Sequence, residues 1–339
     1  MKKGYIKQED RKKILLITDD IRVHSGVAQI GREMVINTSH KYNWVQIAGA
    51  VSHPEAGKVF DISSDVNKQA GITDSYVKIY PTNGYGDARL VRSIMEVEKP
   101  DAIFLITDPR YFTWLFKIEN EIRAKIPIAY LNIWDDYPAP AYNREYYESV
   151  DALFGISKQS TNINKIVLGK EADNKIIRYV PHGLNNNIFK PLEEKTPEFK
   201  KFKKELLGDE KDFVLLFNSR NIRRKAIPDT ILAWKYFCDR LTKEEREKVH
   251  FILHTKPVEQ HGTNLPEVVE YLIGKDSNIT FSAGKLSSDQ MNWLYNCADG
   301  VILLSSNEGW GLSLTEALLT GTPIIANVTG GMQDQMRFS

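Results

Sequence analysis

The stretch from Asn307 to Asn327, NEGWGLSLTEALLTGTPIIAN, decides how the rest of the chain is read. The apolar run Val301 to Leu304 before it has the length and composition of a buried strand, and a helix-period pattern follows it. Between them lies a polar loop with Glu308 beside Gly309-Trp310-Gly311, and Glu316 follows eight positions after Glu308. Glycines there allow a tight turn and a close backbone approach. The amides that open the next helix point into the same space with the positive end of the helix dipole. Two carboxylates and a helix terminus suit a phosphorylated ligand that carries hydroxyls on either side. A structural reading stands beside this one, because Ser313-Leu314-Thr315-Glu316 also has the spacing of a capping box.

Outward from this stretch, short apolar runs alternate with helix-period segments, which is the pattern of a parallel α/β sheet. Strands are expected at Lys13 to Thr18, Trp44 to Ala48, Val77 to Tyr80, Ala102 to Ile106, Ile128 to Ile133 and Ala152 to Phe154. After a charged connector they resume at Phe213 to Phe217, His250 to His254, Asn278 to Ser282 and Gly300 to Leu304. The 339 residues fit two domains, and 42% hydrophobic with 26% charged residues is ordinary for a water-soluble chain. A net charge of +1 gives no global basic excess, so nucleic acid is not an expected partner. Cys238 and Cys297 have no zinc-like spacing and fall in helical patterns, which fits a reducing, cytoplasmic compartment. No apolar run approaches the roughly 18 residues of a membrane span.

Four basic residues, Arg220, Arg223, Arg224 and Lys225, crowd the loop after the Phe213 strand. Such crowding is costly unless the side chains spread into water or meet an anion, for which a diphosphate is the natural candidate. At other expected strand ends stand Asp108, Asp135-Asp136 and the Ser25-Gly26 turn. Open parallel sheets place ligands at those ends. Asp108 is a candidate acceptor contact or base, with a turn-forming Asp before Pro as its structural alternative. Adjacent aspartates without further oxygen ligands do not make a metal site, and no Asp-x-Asp triplet occurs. The lysines at 200, 201, 203 and 204 form either a solvated helix face or a weak peripheral membrane contact.

The combination of Glu308, the Gly-Trp-Gly turn, Glu316 and the Ala-Leu-Leu-x-Gly-x-Pro-Ile-Ile-Ala run resembles the donor-site signature of retaining glycosyltransferases of the family-4-like group, the glycosyl transferases group 1. A second resemblance lies between Ile177 and Leu192, where Pro181, His182, Gly183, Leu184, Asn185, Phe189 and Pro191 match the crossing between the two domains of such enzymes. The resemblance implies the GT-B fold: two Rossmann-like, doubly wound parallel-sheet domains facing a cleft. On this reading residues 1–190 are the acceptor-side domain, 191–212 a charged linker and 213–339 the donor domain.

It further implies that Arg220 and Lys225 hold the donor diphosphate with help from the amides near Gly311 and Leu312. Arg223 and Arg224 then face outward. Glu308 positions the sugar, and Glu316 holds the ribose. Gly26 lines the cleft and Gly284 covers the base, while His182 is either a donor or phosphate contact or a purely structural turn residue. The expected reaction moves a sugar from a nucleotide diphosphate sugar to a hydroxyl acceptor, whether glycan, lipid-linked or small molecule, with retention and without metal or other cofactor. The sequence given stops at Phe338-Ser339, earlier than such enzymes normally end, so the second domain is expected to be truncated. That leaves a non-catalytic sugar-nucleotide-binding or partner subunit, and a nucleotide-sugar epimerase of the same fold, as alternatives.

Overall fold

The computed structural model describes residues 3–274 and 277–337; Phe338 and Ser339 lie outside the described residues. The chain divides into two compact units, Met1–Gly183 and Leu184–Ser339. This division falls earlier than the boundary read from the sequence.

The first unit is built on an eight-stranded sheet. Its strands in chain order are β1 (Lys12–Asp19), β2 (Tyr42–Ala50), β3 (Phe60–Asp61), β4 (Val77–Asn83), β5 (Ala102–Ile106), β6 (Ile128–Asn132), β7 (Ala152–Gly155) and β8 (Ile176–Tyr179). In space they run β3-β4-β2-β1-β5-β6-β7-β8, and only the short β3 pairs antiparallel. Strand order grows in both directions from β1, which is the doubly wound arrangement, and its switch point lies between β1 and β5. Leu15, Leu16 and Ile17 in β1 are all fully buried. Consecutive apolar residues are required where helices cover both faces of a sheet. The two-residue β3 was not expected, since so short a pairing leaves no periodic signal.

The second unit has a five-stranded sheet of order β11-β10-β9-β12-β13, parallel throughout. Its strands are β9 (Phe213–Asn218), β10 (Val249–His254), β11 (Ile279–Phe281), β12 (Gly300–Leu303) and β13 (Ile324–Ala326). Alternation along β9 sends Leu215 and Phe217 into one core with Phe251, Trp234 and Leu303, and Val214 and Leu216 into the other with Ile252, Val301 and Ala317. Each such fully buried aliphatic or aromatic side chain stabilises the unit by about 1.5–3 kcal/mol. The charged segment before β9 belongs to this unit. Its helix Pro197–Leu207 buries Phe199 and Leu207, and Phe189 packs edge-on against Tyr295. The side-chain amides of Asn292 and Asn296 accept from the backbone of Lys190 and Leu192. Among the described residues no helix is long and apolar enough to cross a membrane.

Candidate active site

In the second sheet the switch point lies between β9 and β12, which pair in parallel at Leu216 and Val301. The loops leaving their carboxyl ends therefore emerge side by side. The β9 loop is pinned by Asn221, a buried amide that donates to the carbonyls of Lys256 and Thr263 and accepts from the Thr263 amide. A single 3-10 turn, Arg223–Lys225, then ends in Ala226 with φ of 48°, in the left-handed region that a side chain disfavours. This compact turn carries Lys225 inward, where it is 7% exposed, and leaves Arg220 and Arg223 exposed.

From the neighbouring loop comes Glu308, 5% exposed. Its Oε1 accepts from the Lys225 ammonium and from Ser305 Oγ at 2.7 Å, and its Oε2 accepts from Arg224 Nη1 at 3.1 Å. Arg224 Nη1 also donates to the Asn307 carbonyl at 2.6 Å, and the Ser306 amide donates back to the Arg224 carbonyl at 2.9 Å. The expectation that Arg224 faces outward is thus corrected. The narrow turn forces Arg224 and Lys225 to the same side, and a buried carboxylate needs more than one positive partner. Burial alone would raise the Glu308 carboxyl, but the Lys225 and Arg224 charges outweigh it and hold the group below its usual range.

Glu316 sits in the helix Leu312–Thr320, beyond the first turn in which it was expected. The capping box is not formed: the N-cap is Gly311, with φ of 86°, and Ser313 lies inside the helix. Free of that role, Glu316 Oε2 accepts from the Tyr295 hydroxyl and from Asn218 Nδ2 at the end of β9. Tyr295 and Asn218 are themselves joined at 2.8 Å. Burial pushes the Glu316 carboxyl up to about 7, against the pull of the two donors. The two glutamates of one loop and helix are therefore driven in opposite directions.

The Gly309-Trp310-Gly311 turn is held from behind by the short last helix, Met332–Gln335, and the glycines before it. Gln335 Nε2 donates to the Trp310 carbonyl at 2.5 Å, and Trp310 Nε1 donates to Thr315 Oγ1 at 2.8 Å. Gly331 donates its amide to the Glu308 carbonyl at 2.9 Å. A Cβ at Gly330 would lie 2.1 Å from that same carbonyl oxygen, so only glycine lets the two backbones touch. Leu312 opens the helix, where the first amides have no partner inside it. Gly284 is exposed in an open loop after β11.

Three candidates lie in the first unit. Ser25 caps the helix Gly26–Thr38, accepting from Ala28 and donating to Asp19 Oδ2 at 2.6 Å, so Gly26 belongs to a capping turn. Asp108 caps the short turn Pro109–Phe112 and grips the Arg110 guanidinium, with Nε to Oδ1 at 2.9 Å, which is the turn-forming reading. His182 is 8% exposed, donates from Nδ1 to the Gly183 carbonyl at 2.7 Å, and leaves Nε2 buried without a partner among the described residues. Burial pushes it down to about 4, so the ring is neutral near pH 7. The sequence reading missed Asn218, Asn221, Ser305 and Tyr295. A polar residue closing an apolar strand was the available signal for Asn218, whereas Tyr295 reads as plain helix core.

Residues 198–337 match the sequence profile of the glycosyl transferases group 1. No curated protein matches by sequence. Among solved structures the chain is similar to sucrose-phosphate synthase from Thermosynechococcus elongatus, at 15% identity and a TM-score of 0.71, covering 96% of this chain and 83% of that one. It is also similar to a glycosyltransferase from Rickettsia africae, at 15% identity and a TM-score of 0.68 over 95% and 80% of the two chains. A third, α,α-trehalose-phosphate synthase from Burkholderia xenovorans in complex with glucose-6-phosphate, matches at 12% identity and a TM-score of 0.66 over 96% and 87%. With the doubly wound sheets of both units, these matches give the chain the fold of the GT-B glycosyltransferases and give residues 198–337, within the second unit, the profile of the glycosyl transferases group 1.

Proposed function

We propose that the chain moves a glycosyl unit from a nucleoside diphosphate sugar to a hydroxyl acceptor with retention of anomeric configuration, and that it does so without a metal. One observation carries this reading: Lys225 and Arg224 from one loop meet Glu308 from the next at a switch point, beside the opening of the helix Leu312–Thr320. Ligands of open parallel sheets bind at such points, and helix openings favour anions.

Arg220 is exposed, with Glu259 within electrostatic reach, and on this reading turns to the diphosphate. Lys225 supplies a second charge from a buried position, with Glu308 as its counter-ion until the donor arrives. Two cations and a helix terminus neutralise the charge that grows on the leaving diphosphate as the bond to the anomeric carbon breaks. The acceptor oxygen takes the vacated position on the same face, and its proton leaves with the diphosphate. Glu316, with Tyr295 and Asn218 orienting it, accepts from the ribose hydroxyls or donates to them according to its protonation.

The test is calorimetric titration of the purified chain with UDP-, GDP- and ADP-sugars in the presence of a chelator, followed by an acceptor screen that reads release of the nucleoside diphosphate. Tight binding of one donor and glycoside formation are expected. Binding with no turnover on any acceptor leaves a sugar-nucleotide-binding subunit, and conversion of the donor to an isomer makes the chain an epimerase.

A further inference from the structure

Gln335 closes a circuit of hydrogen bonds around the Gly309-Trp310-Gly311 turn. The Trp310 indole donates to Thr315 Oγ1 at 2.8 Å, and the Thr315 hydroxyl donates to Gln335 Oε1 at 2.8 Å. The other end of the same amide returns to the turn: Gln335 Nε2 donates to the Trp310 carbonyl at 2.5 Å and to the Gly311 carbonyl at 3.1 Å. Two carbonyl oxygens can be met only by the NH2 end of a side-chain amide, so its orientation is fixed. Met332, fully buried, seats the short helix that carries Gln335 under Gly311, where an added Cβ would lie 3.1 Å from the Met332 Cγ.

This circuit decides which way the peptide units of the turn face. In a trans peptide the N–H points opposite to the C=O, and the peptides here are trans. The Glu308 carbonyl is taken by the Gly331 amide, and the Trp310 and Gly311 carbonyls by Gln335. The amides of Gly309, Gly311 and Leu312 therefore point away from residues 331–335. Such a turn is easy to reverse when glycine is in it, because rotating one peptide unit exchanges an N–H for a C=O at little steric cost. Gly311 already has φ of 86°. A reversed unit would offer an anion a carbonyl oxygen, which repels it, in place of an amide that attracts it.

We propose that Gln335, together with Thr315, is a positioning residue that keeps the amides of the Gly-Trp-Gly turn directed at a diphosphate by holding its carbonyls back. The assignment rests on the nucleoside diphosphate sugar reading. Gln335 touches no ligand in this account and acts only through the turn. Methionine at 335 keeps the length of the side chain but has no N–H, so both carbonyls lose their donor. Valine at 315 keeps the branched shape and removes the hydroxyl that aligns Gln335, whereas serine keeps the hydroxyl.

The test compares wild type, Gln335→Met, Thr315→Val and Thr315→Ser as full chains. Calorimetric titration with UDP, GDP and ADP and saturation-transfer NMR with uridine, guanosine and adenosine give, for the preferred base, the ratio of nucleoside to nucleoside diphosphate dissociation constants. Gln335→Met is expected to lower this ratio about tenfold or more and Thr315→Val about threefold or more, while Thr315→Ser stays within about twofold. Nucleoside affinity itself should stay within about twofold in all four chains. A merely structural role would weaken nucleoside and nucleotide together and leave the ratio alone, and that result overturns the proposal. If Gln335→Met does not fold, equal ratios in Thr315→Val and Thr315→Ser overturn it. Failure of wild type to bind any nucleoside diphosphate removes the donor reading and this inference with it; binding with an unchanged ratio in the variants removes the inference alone.

Discussion

Each of the two sheets reverses its winding once, between β1 and β5 and between β9 and β12, and each places a carboxylate just beyond a strand at that point: Asp108 after β5 and Glu308 after β12. Their surroundings differ. Asp108 satisfies itself within its own turn, with Arg110 two residues away. Glu308 takes its partners from 83 and 84 residues upstream and is almost sealed from water. A locally satisfied carboxylate can be kept by any turn of the right shape, but one held by a second loop ties two strand ends into a single site. The difference teaches that position at a switch point nominates a residue, whereas the sequence distance to its partners tells what it is for.

The largest effect that would break this comparison belongs to Lys225. Lys225→Ala strands Glu308 as a buried charge with only the half-exposed Arg224 left, and removing one member of a buried pair costs about 3–5 kcal/mol. Denaturant unfolding should show a loss of about 3 kcal/mol, and Glu308→Gln on that background should recover part of it. If Lys225→Ala is as stable as wild type, the pair is not the tie between the two loops.

Arg220→Ala separates binding from stability. The side chain is exposed, so unfolding should be unchanged, while a lost charge-assisted contact of about 1.5–3 kcal/mol weakens the preferred sugar nucleotide by about ten- to a hundredfold. Arg223→Ala, equally exposed, should bind as wild type does. Equal losses in both would mean that the loop acts only through its general positive field.

How much of this was legible in the sequence follows from the same contrast. Strand positions were readable because consecutive buried residues such as Leu15-Leu16-Ile17 and Leu215-Leu216-Phe217 leave a strong local signal. That Lys225 and Glu308 stand in loops beyond β9 and β12 was readable because basic residues and glycines crowd those loops. The partners of Arg224 and Asn218 were not, since they lie 77 or more residues away, and Tyr295 meets Glu316 across 21 residues and a strand and loop. The capping-box spacing of Ser313 and Glu316 pointed to a bond that the helix start at Leu312 rules out. A short polar motif cannot report where its helix begins when glycine rather than serine takes the N-cap.

A pH series on Glu316 sharpens the comparison inside the second unit. A folded value of about 7 against an ordinary 4.5 means that the protonated form is the one folding favours. Its contribution to stability is complete below about pH 4.5, declines as pH rises through about 7, and is gone above that. Wild type should therefore lose about 1–2 kcal/mol relative to Glu316→Gln across that window, the size being reduced by the partial access of water to this side chain. Glu308, held below its ordinary range, runs the other way and loses its contribution as pH falls. Parallel unfolding curves for wild type and Glu316→Gln from pH 4 to 8 would show that Glu316 is already ionised and open to solvent.

Asp108→Asn is the smallest expected change and the sharpest check on the contrast itself. Asparagine caps a turn about as well as aspartate, so the amides of the Pro109–Phe112 turn keep their acceptor. What is lost is a pair with Arg110 whose guanidinium side is largely exposed, worth no more than about 1 kcal/mol. Sugar-nucleotide binding, which on the proposed reading draws on Arg220, Lys225 and Glu316, should not move. If Asp108 is an acceptor contact, acceptor affinity should fall only a fewfold, because the amide keeps one acceptor oxygen while Arg110 gains freedom. A loss of turnover by three orders of magnitude with donor binding intact would place Asp108 at the reacting atoms. The locally satisfied carboxylate would then be the catalytic one, and the long-range partners of Glu308 would serve binding alone.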